Sequence, residues 1–176
     1  MGLLKQYLAY CSCGKVELAA QGHPIAANVC YCADCQEAGR QFAALASSRN
    51  VAELDGGTQF LLFRKDRFTC LKGAEHLRAH RLQDTSATRR MVASCCDSAM
   101  YMAFDDARHW VSAYRTRFVG DVPPLEMRIC TKSRTSLEAL DSHLPSYASY
   151  PPRLIMRLLG ARLSMVFAPK TQNQPI

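Results

Sequence analysis

Nine cysteines occur in this chain of 176 residues, and most of them are clustered. Cysteines that are adjacent or two residues apart do not readily meet the dihedral angle and Cα separation of a disulfide. Their thiolates can instead converge on one cation, and Zn²⁺ prefers about four sulfur or nitrogen ligands in a tetrahedron. The clusters therefore predict metal binding, with two zinc ions expected. The three motifs are Cys11-Ser12-Cys13, Cys30-Tyr31-Cys32-Ala33-Asp34-Cys35 and Cys95-Cys96.

The first predicted zinc site combines two motifs that are far apart in the sequence. Cys11 and Cys13 are followed by Gly14, which permits the left-handed turn that directs backbone N–H groups at the sulfur atoms. Cys95 and Cys96 are the other close pair, and the four cysteines together would make a closed structural site. Adjacent side chains diverge in a regular strand, so both members of this pair can bind one ion only if the backbone turns sharply.

The second predicted site has fewer ligands. Cys30, Cys32 and Cys35 supply three sulfur atoms, and a zinc ion with three protein ligands keeps one position open for water or substrate. A thiol that enters this position loses its proton and becomes a nucleophile at neutral pH. The motif is thus the candidate active site. The alternative is a second structural zinc, completed by Asp34, Cys70 or one of the histidines, among them His23, His76, His80 and His109.

Composition and charge limit the class of protein. With 48% hydrophobic residues, the chain can bury a core without disulfides, and Cys70 and Cys130 are interpreted as isolated buried residues of that core. The chain shows neither a signal-peptide pattern nor a long apolar run, so we expect a soluble protein with no transmembrane segment. An odd number of clustered thiols suits a reducing compartment, which predicts a cytoplasmic location.

The formal net charge is +7, and one stretch concentrates positive charge. Its four arginines are candidates for binding the carboxylates of a substrate. A solvated basic face is the simpler interpretation, and a nucleic-acid partner is the least favoured one. The arginines are Arg78, Arg81, Arg89 and Arg90.

Short segments that are alternating or rich in β-branched and aromatic residues predict a mainly β, antiparallel fold that positions these motifs. The predicted strands are 15–19, 25–30, 58–63, 77–82, 89–93, 99–104 and 110–118. A short helix follows Cys35 over 36–40, and two helices are predicted near the C-terminus, over 136–144 and from Pro151-Pro152 to Leu163. The last of these is amphipathic and basic, which fits a helix that covers the core or contacts a partner, with membrane binding as an alternative.

These elements predict one zinc-binding β domain over 1–168. It includes a C-terminal helical extension over about 135–165 and is followed by a flexible tail over 169–176.

The order of the cysteine motifs resembles the glutathione-dependent formaldehyde-activating enzyme family, which includes centromere protein V. The segments 56–60, 68–77 and 89–100 are most similar to an uncharacterised bacterial branch in which a Cys-Cys pair replaces the usual C-x-x-C. The resemblance covers about residues 8–120. Four positions depart from the family pattern, namely Tyr31, Gln36, Ala93 and Asp97.

This resemblance implies several coiled antiparallel sheets with two zinc sites. It also implies carbon–sulfur lyase activity on an adduct of a small thiol, such as glutathione, and an aldehyde. By position, Cys11, Cys13 and Cys96 match structural-zinc ligands, and Cys95 substitutes for the fourth. Cys30, Cys32 and Cys35 match the zinc site that binds the thiol. A non-catalytic zinc module for a thiol, protein or nucleic-acid partner is the first alternative function, and a redox sensor at Cys95-Cys96 is the second.

Overall fold

The computed structural model describes residues 4–45, 51–136, 140 and 143–166. Within these residues the chain forms ten strands and two α-helices, so the prediction of a mainly β fold is confirmed. The strands are β1 (Gln6–Tyr10), β2 (Glu17–Gln21), β3 (Ala26–Cys30), β4 (Thr58–Arg64), β5 (Phe68–Lys72), β6 (Leu77–His80), β7 (Thr88–Ala93), β8 (Ser98–Phe104), β9 (Trp110–Tyr114) and β10 (Met127–Ile129). The helices are α1 (Ala33–Ala43) and α2 (Pro152–Val166).

The strands form two sheets. The smaller has the order β1-β2-β5 and is antiparallel, and the larger has the order β10-β3-β4-β9-β8-β7-β6. Every neighbouring pair in the larger sheet is antiparallel except β10 and β3, which are parallel. A parallel pair needs a long connection, and here most of the chain separates the two strands. The larger sheet is therefore mixed, where the sequence predicted antiparallel pairing.

The larger sheet is buried on both faces because successive side chains along a strand point in opposite directions. In β4, Phe60 and Leu62 face one side, and Leu61 and Phe63 face the other. The first side packs against α1 and α2, and the second packs against the smaller sheet. This double burial explains why β4 and β8 have nearly continuous apolar sequences.

The predicted strands are all present, with ends that differ by a few residues. The last of them, predicted over 110–118, ends at Tyr114 and continues as a 3-10 turn. Strands β1, β5 and β10 were not predicted from the sequence; β10 has only three residues, and its conformation depends on pairing with the distant β3. Helix α1 is longer than the predicted 36–40 because it buries Ala38 and Phe42 against the sheet.

The C-terminal helix α2 lies where the sequence predicted it. It buries Leu154 and Leu158, while Met156, Leu163 and Val166 on its other side are exposed. Most of the helix predicted over 136–144, and the tail predicted over 169–176, lie outside the described residues. No helix among the described residues is long and apolar enough to cross a membrane.

Candidate metal centres

Four cysteines converge from two turns that are distant in the sequence. Cys11 and Cys13 follow β1, and Cys95 and Cys96 lie in the turn between β7 and β8. Their Sγ atoms all lie within 4.8 Å of one another. The Cys13–Cys95 and Cys11–Cys13 separations are 3.3 and 3.6 Å, and Cys95 is 3.9 Å from both Cys11 and Cys96.

These separations fit a tetrahedral metal. A zinc–sulfur bond of about 2.3 Å places two sulfur ligands about 3.8 Å apart in a regular tetrahedron. The turn after Cys11 has the form expected of a metal knuckle, because Gly14 adopts φ +74° and the N–H of Val16 donates to Cys11 Sγ at 3.2 Å. We call this group the four-cysteine centre; it leaves no coordination position for a further ligand.

The turn between β7 and β8 explains how adjacent cysteines reach the same point. Asp97 has a left-handed backbone with φ +51°, and the N–H of Cys96 donates to the carbonyl of Ala93 at 3.2 Å. The chain thus reverses direction within four residues, and Cys95 and Cys96 leave the regular strand geometry that would separate them. The sharp turn that the sequence analysis required for this pair is present.

A polar network lies next to the four-cysteine centre. Ser98 Oγ is 3.2 Å from Cys96 Sγ, and it also accepts from the N–H of Ser12 at 3.0 Å. Buried Arg117 donates to Ser12 Oγ and to the carbonyl of Ala99, both at 3.0 Å. Burial raises the pKa of Cys96, but hydrogen bonds from Ser98 and from the Cys13 backbone outweigh it and lower the pKa to about 6. The site therefore favours a thiolate, which is the form that binds a metal.

The other three clustered cysteines converge where β3 leads into α1. Cys30 ends β3, Cys32 is the N-cap of α1 and Cys35 lies in its first turn, and their Sγ atoms lie within 4.8 Å of one another. Cys30 and Cys35 are buried, and Cys32 is half-buried. No histidine or carboxylate of the described residues joins this group, which we call the three-cysteine centre.

The electrostatics of the three-cysteine centre place negative charge on Cys32. Hydrogen bonds from the thiols of Cys30 and Cys35 outweigh burial, and the Cys35 backbone N–H and the charge of Arg90 act in the same direction. Together they lower the pKa of Cys32 to about 3. A helix N-terminus also favours negative charge. The geometry and the donor set fit a soft or borderline cation with three thiolate ligands.

Cys130 is a residue whose position the sequence did not reveal. It is buried, as predicted, but it follows β10, whose Ile129 is in register with Cys30. The thiol of Cys130 lies near that of Cys30, and its influence, followed by those of Cys32 and Cys35, raises the pKa of Cys30. Cys70, in contrast, is only half-buried, so the prediction of a buried core residue was wrong for it; it lies on β5 in the smaller sheet and contacts the carbonyl of Lys72 at 3.3 Å.

A cavity of about 130 Å³ opens beside the three-cysteine centre. It lies on the side of the larger sheet that faces the helices. Asn28, Arg90 and Tyr150 supply polar groups at its surface. Its apolar wall includes Leu62, Met102, Phe104, Trp110, Ile129 and Leu158. The four-cysteine centre contributes no residue to it.

The structure separates the four arginines that the sequence grouped together. Arg90 alone among them lines the cavity. Arg81 and Arg89 form ion pairs with Asp105 at 2.5 and 2.6 Å, and exposed Arg78 donates to backbone carbonyls of its own turn. Arg89 and Arg90 are adjacent in β7 and so point to opposite faces of the sheet.

Tyr31 and Gln36 hold the loop between β3 and α1. The hydroxyl of buried Tyr31 donates to Asp55 Oδ2 at 2.6 Å. Gln36 Nε2 donates to the carbonyls of Tyr31 and Ser133 at 2.7 and 2.6 Å. Both side chains fix the backbone from which the cysteines project.

Fold and sites define a mainly β protein with two cysteine clusters that could each hold a metal ion. The chain belongs to the family described as "Family of unknown function (DUF6151)", which matches residues 4–162. No curated protein matches the sequence at a significant level. One similar solved structure is the crystal structure of a Rhodobacter sphaeroides protein from a structural genomics programme. It is 16% identical, with a TM-score of 0.46 over 66% of this chain and 91% of that chain.

Proposed function

We propose that this protein is a zinc-dependent carbon–sulfur lyase that acts on the adduct of a small thiol, such as glutathione, and an aldehyde. A structural zinc would occupy the four-cysteine centre, and a second zinc would bind at the three-cysteine centre. One observation carries the proposal: three convergent sulfur atoms line a cavity, whereas the closed four-sulfur group contributes no residue to it. The cysteine motifs that resemble the formaldehyde-activating family support the same reaction.

The reaction needs a thiolate and a place for an aldehyde. Cys30, Cys32 and Cys35 would hold the zinc, which would supply an open position for a substrate thiol in its thiolate form. In the direction of synthesis, the sulfur attacks the carbonyl carbon and a carbon–sulfur bond forms. The carbonyl electron pair moves to oxygen, which takes up a proton, while the thiol proton passes to solvent. The lyase direction reverses each of these steps.

Tyr150 is positioned to assist at the oxygen atom. It lines the cavity and is half exposed, and the partial burial of its hydroxyl, followed by the charges of Cys30 and Cys130, raises its pKa. Its hydroxyl therefore stays protonated at neutral pH, and we assign it a hydrogen bond to the adduct's oxygen. We also assign the protein to the cytoplasm, where its nine free cysteines would stay reduced and able to bind metal.

The test is adduct formation from a thiol and formaldehyde by purified, zinc-loaded protein. We expect a rate above the uncatalysed one, which Cys32→Ser abolishes and Cys70→Ser preserves, because Cys70 lies in the smaller sheet. Tyr150→Phe should lower the rate while zinc content is unchanged. A rate equal to the uncatalysed rate for every thiol tested would refute the catalytic proposal.

The proximity of Cys130 to Cys30 favours a second candidate, a non-catalytic zinc module. A small movement of Cys130 could close the three-cysteine centre with a fourth sulfur. Zinc-edge X-ray absorption on wild type and Cys130→Ser separates the two functions. A closed module gives about four sulfur ligands per zinc in wild type and fewer in the variant, whereas an open site gives the same spectrum in both.

A further inference from the structure

Arg90 is an unusual residue for the interior of a protein. Its side chain is only 1% exposed, yet its charge has no carboxylate partner among the described residues. Nη2 donates to the backbone carbonyl of Asp34 at 3.0 Å, while Nε and Nη1 have no hydrogen-bond partner within the described ranges. Burying polar groups without partners is unfavourable unless a ligand supplies them.

The unpartnered atoms belong to a residue that lines the cavity beside the three-cysteine centre. Asp34, whose carbonyl holds the guanidinium, lies between Cys32 and Cys35, so Arg90 is fixed close to the sulfur atoms. Asn28 lines the same cavity, and its Oδ1 also lacks a partner in the described part of the chain. The cavity thus combines three sulfur atoms, a guanidinium with no carboxylate at ion-pair distance in the described part of the chain, and apolar walls, and Asp34 and Arg108 also line it.

The size of the cavity limits what it can enclose. Its volume is about 130 Å³. An engineered cavity of about 150 Å³ holds one benzene molecule, and pockets that enclose drug-sized ligands measure about 300–1,000 Å³. A thiol with a short carbon chain fits within this space, whereas a tripeptide thiol such as glutathione would have to extend out of the cavity, which is partly open to solvent.

We propose that the ligand of this cavity is a short thiol acid, of the size of mercaptopropionate or cysteine, whose carboxylate binds Arg90 while its sulfur binds at the three-cysteine centre. This inference rests on the proposed function for the metal and names the substrate class. A carboxylate supplies the acceptor oxygens that Arg90 lacks, and charge-assisted hydrogen bonds of this kind are among the strongest in proteins.

The test measures thiol binding to the zinc-loaded protein by isothermal titration calorimetry. Three ligands are compared: mercaptopropionate, the uncharged propanethiol, and glutathione. We expect mercaptopropionate to bind at least about tenfold more tightly than either of the others. Arg90→Gln should remove its advantage over propanethiol. Arg64→Gln is the matched control, because Arg64 is also buried but pairs with Asp66 away from the cavity.

The outcomes separate this inference from the proposed function. If no thiol binds, or if binding survives in Cys32→Ser, the metal-site proposal fails. If thiols bind through zinc but the acid shows no advantage over propanethiol, or if glutathione binds as tightly as mercaptopropionate, the thiol-acid inference fails alone. Should Arg90→Gln not fold, the wild-type ligand comparison still decides, since it needs no variant.

Discussion

The close packing around Gly57 makes a sharp prediction about the loop that carries the three-cysteine centre. A Cβ atom at this position would lie 2.5 Å from Val29 Cγ1 and 2.8 Å from Tyr31 Cζ. Neither neighbour can move easily, because Val29 is in β3 and the buried Tyr31 ring is held by Asp55. Asp55 Oδ1 also accepts from the N–H of Gly57 at 2.9 Å, which fixes the backbone itself.

We therefore expect Gly57→Ala to destabilise the protein. Overpacking of a core typically costs about 1–3 kcal/mol. For a chain of this length each kcal/mol lowers the midpoint of thermal unfolding by roughly 2–4 °C, so the loss is between roughly 2 and 12 °C. Because Val29 and Tyr31 flank Cys30 in the sequence, the variant should also bind zinc more weakly at the three-cysteine centre.

Gly160→Ala is the control for this measurement. Gly160 lies in α2, and a Cβ there meets nothing within 4 Å. Alanine in a helix is about 0.5–1 kcal/mol better than glycine, so this variant should be slightly more stable than wild type. Thermal unfolding and zinc content are measured on both variants. A Gly57→Ala protein as stable as wild type, with full zinc, would show that the loop packing described above is wrong.

Three further predictions concern the sulfur sites and the buried tyrosine. Cys11→Ser and Cys32→Ser should each lower the zinc content from two ions to one by elemental analysis. Only Cys11→Ser should also markedly lower the midpoint of thermal unfolding, because it removes the metal link between the segment after β1 and the turn after β7. Loss of both ions in either variant would show that the two sites are coupled. In metal-free protein, Cys32 should react with iodoacetamide even below pH 6, because its lowered pKa keeps the thiol ionised as the pH falls. Bound zinc should protect it from this reaction. A reaction that needs alkaline pH would contradict the placement of negative charge on Cys32. Burial and Asp55 raise the pKa of Tyr31 from 10.0 to about 12. Tyr31 therefore ionises first in the unfolded chain, and the free energy of unfolding should fall as the pH rises from 10 to 12. Tyr31→Phe should reduce this dependence of the free energy on pH in denaturant titrations, and an unchanged dependence would argue against Tyr31 as its source.

The local pattern of cysteines was enough to separate two kinds of centre. Short spacing brings sulfur atoms together whatever the rest of the fold does, so Cys11 with Cys13, and Cys30 with Cys32 and Cys35, could be grouped from the sequence. The pairing of Cys95 and Cys96 with the first motif rested on elimination and on the family resemblance. The geometry of this four-cysteine group became clear only from the turn at Asp97. The positive φ of Asp97 could not be predicted from the residue types around the Cys95-Cys96 pair.

The role of Arg90 could not be predicted from composition. Four arginines in one basic stretch look equivalent in the sequence, but alternation along β7 places Arg89 and Arg90 on opposite faces. Which of these faces encloses the cavity depends on where α1 and α2 pack, and that is a property of the whole sheet.

The sequence by itself determined the mainly β class, most of the strands and the two groups of sulfur ligands, because these follow from local periodicity and short spacing. Tertiary structure alone decided that Cys130 lies near Cys30, through the parallel pairing of β10 with β3, and that one arginine is buried beside a small cavity. The physical reason is that contacts between segments distant in sequence depend on sheet order and on packing over both of its faces. Sheet order and packing over both faces cannot be predicted from the spacing of residues along the chain.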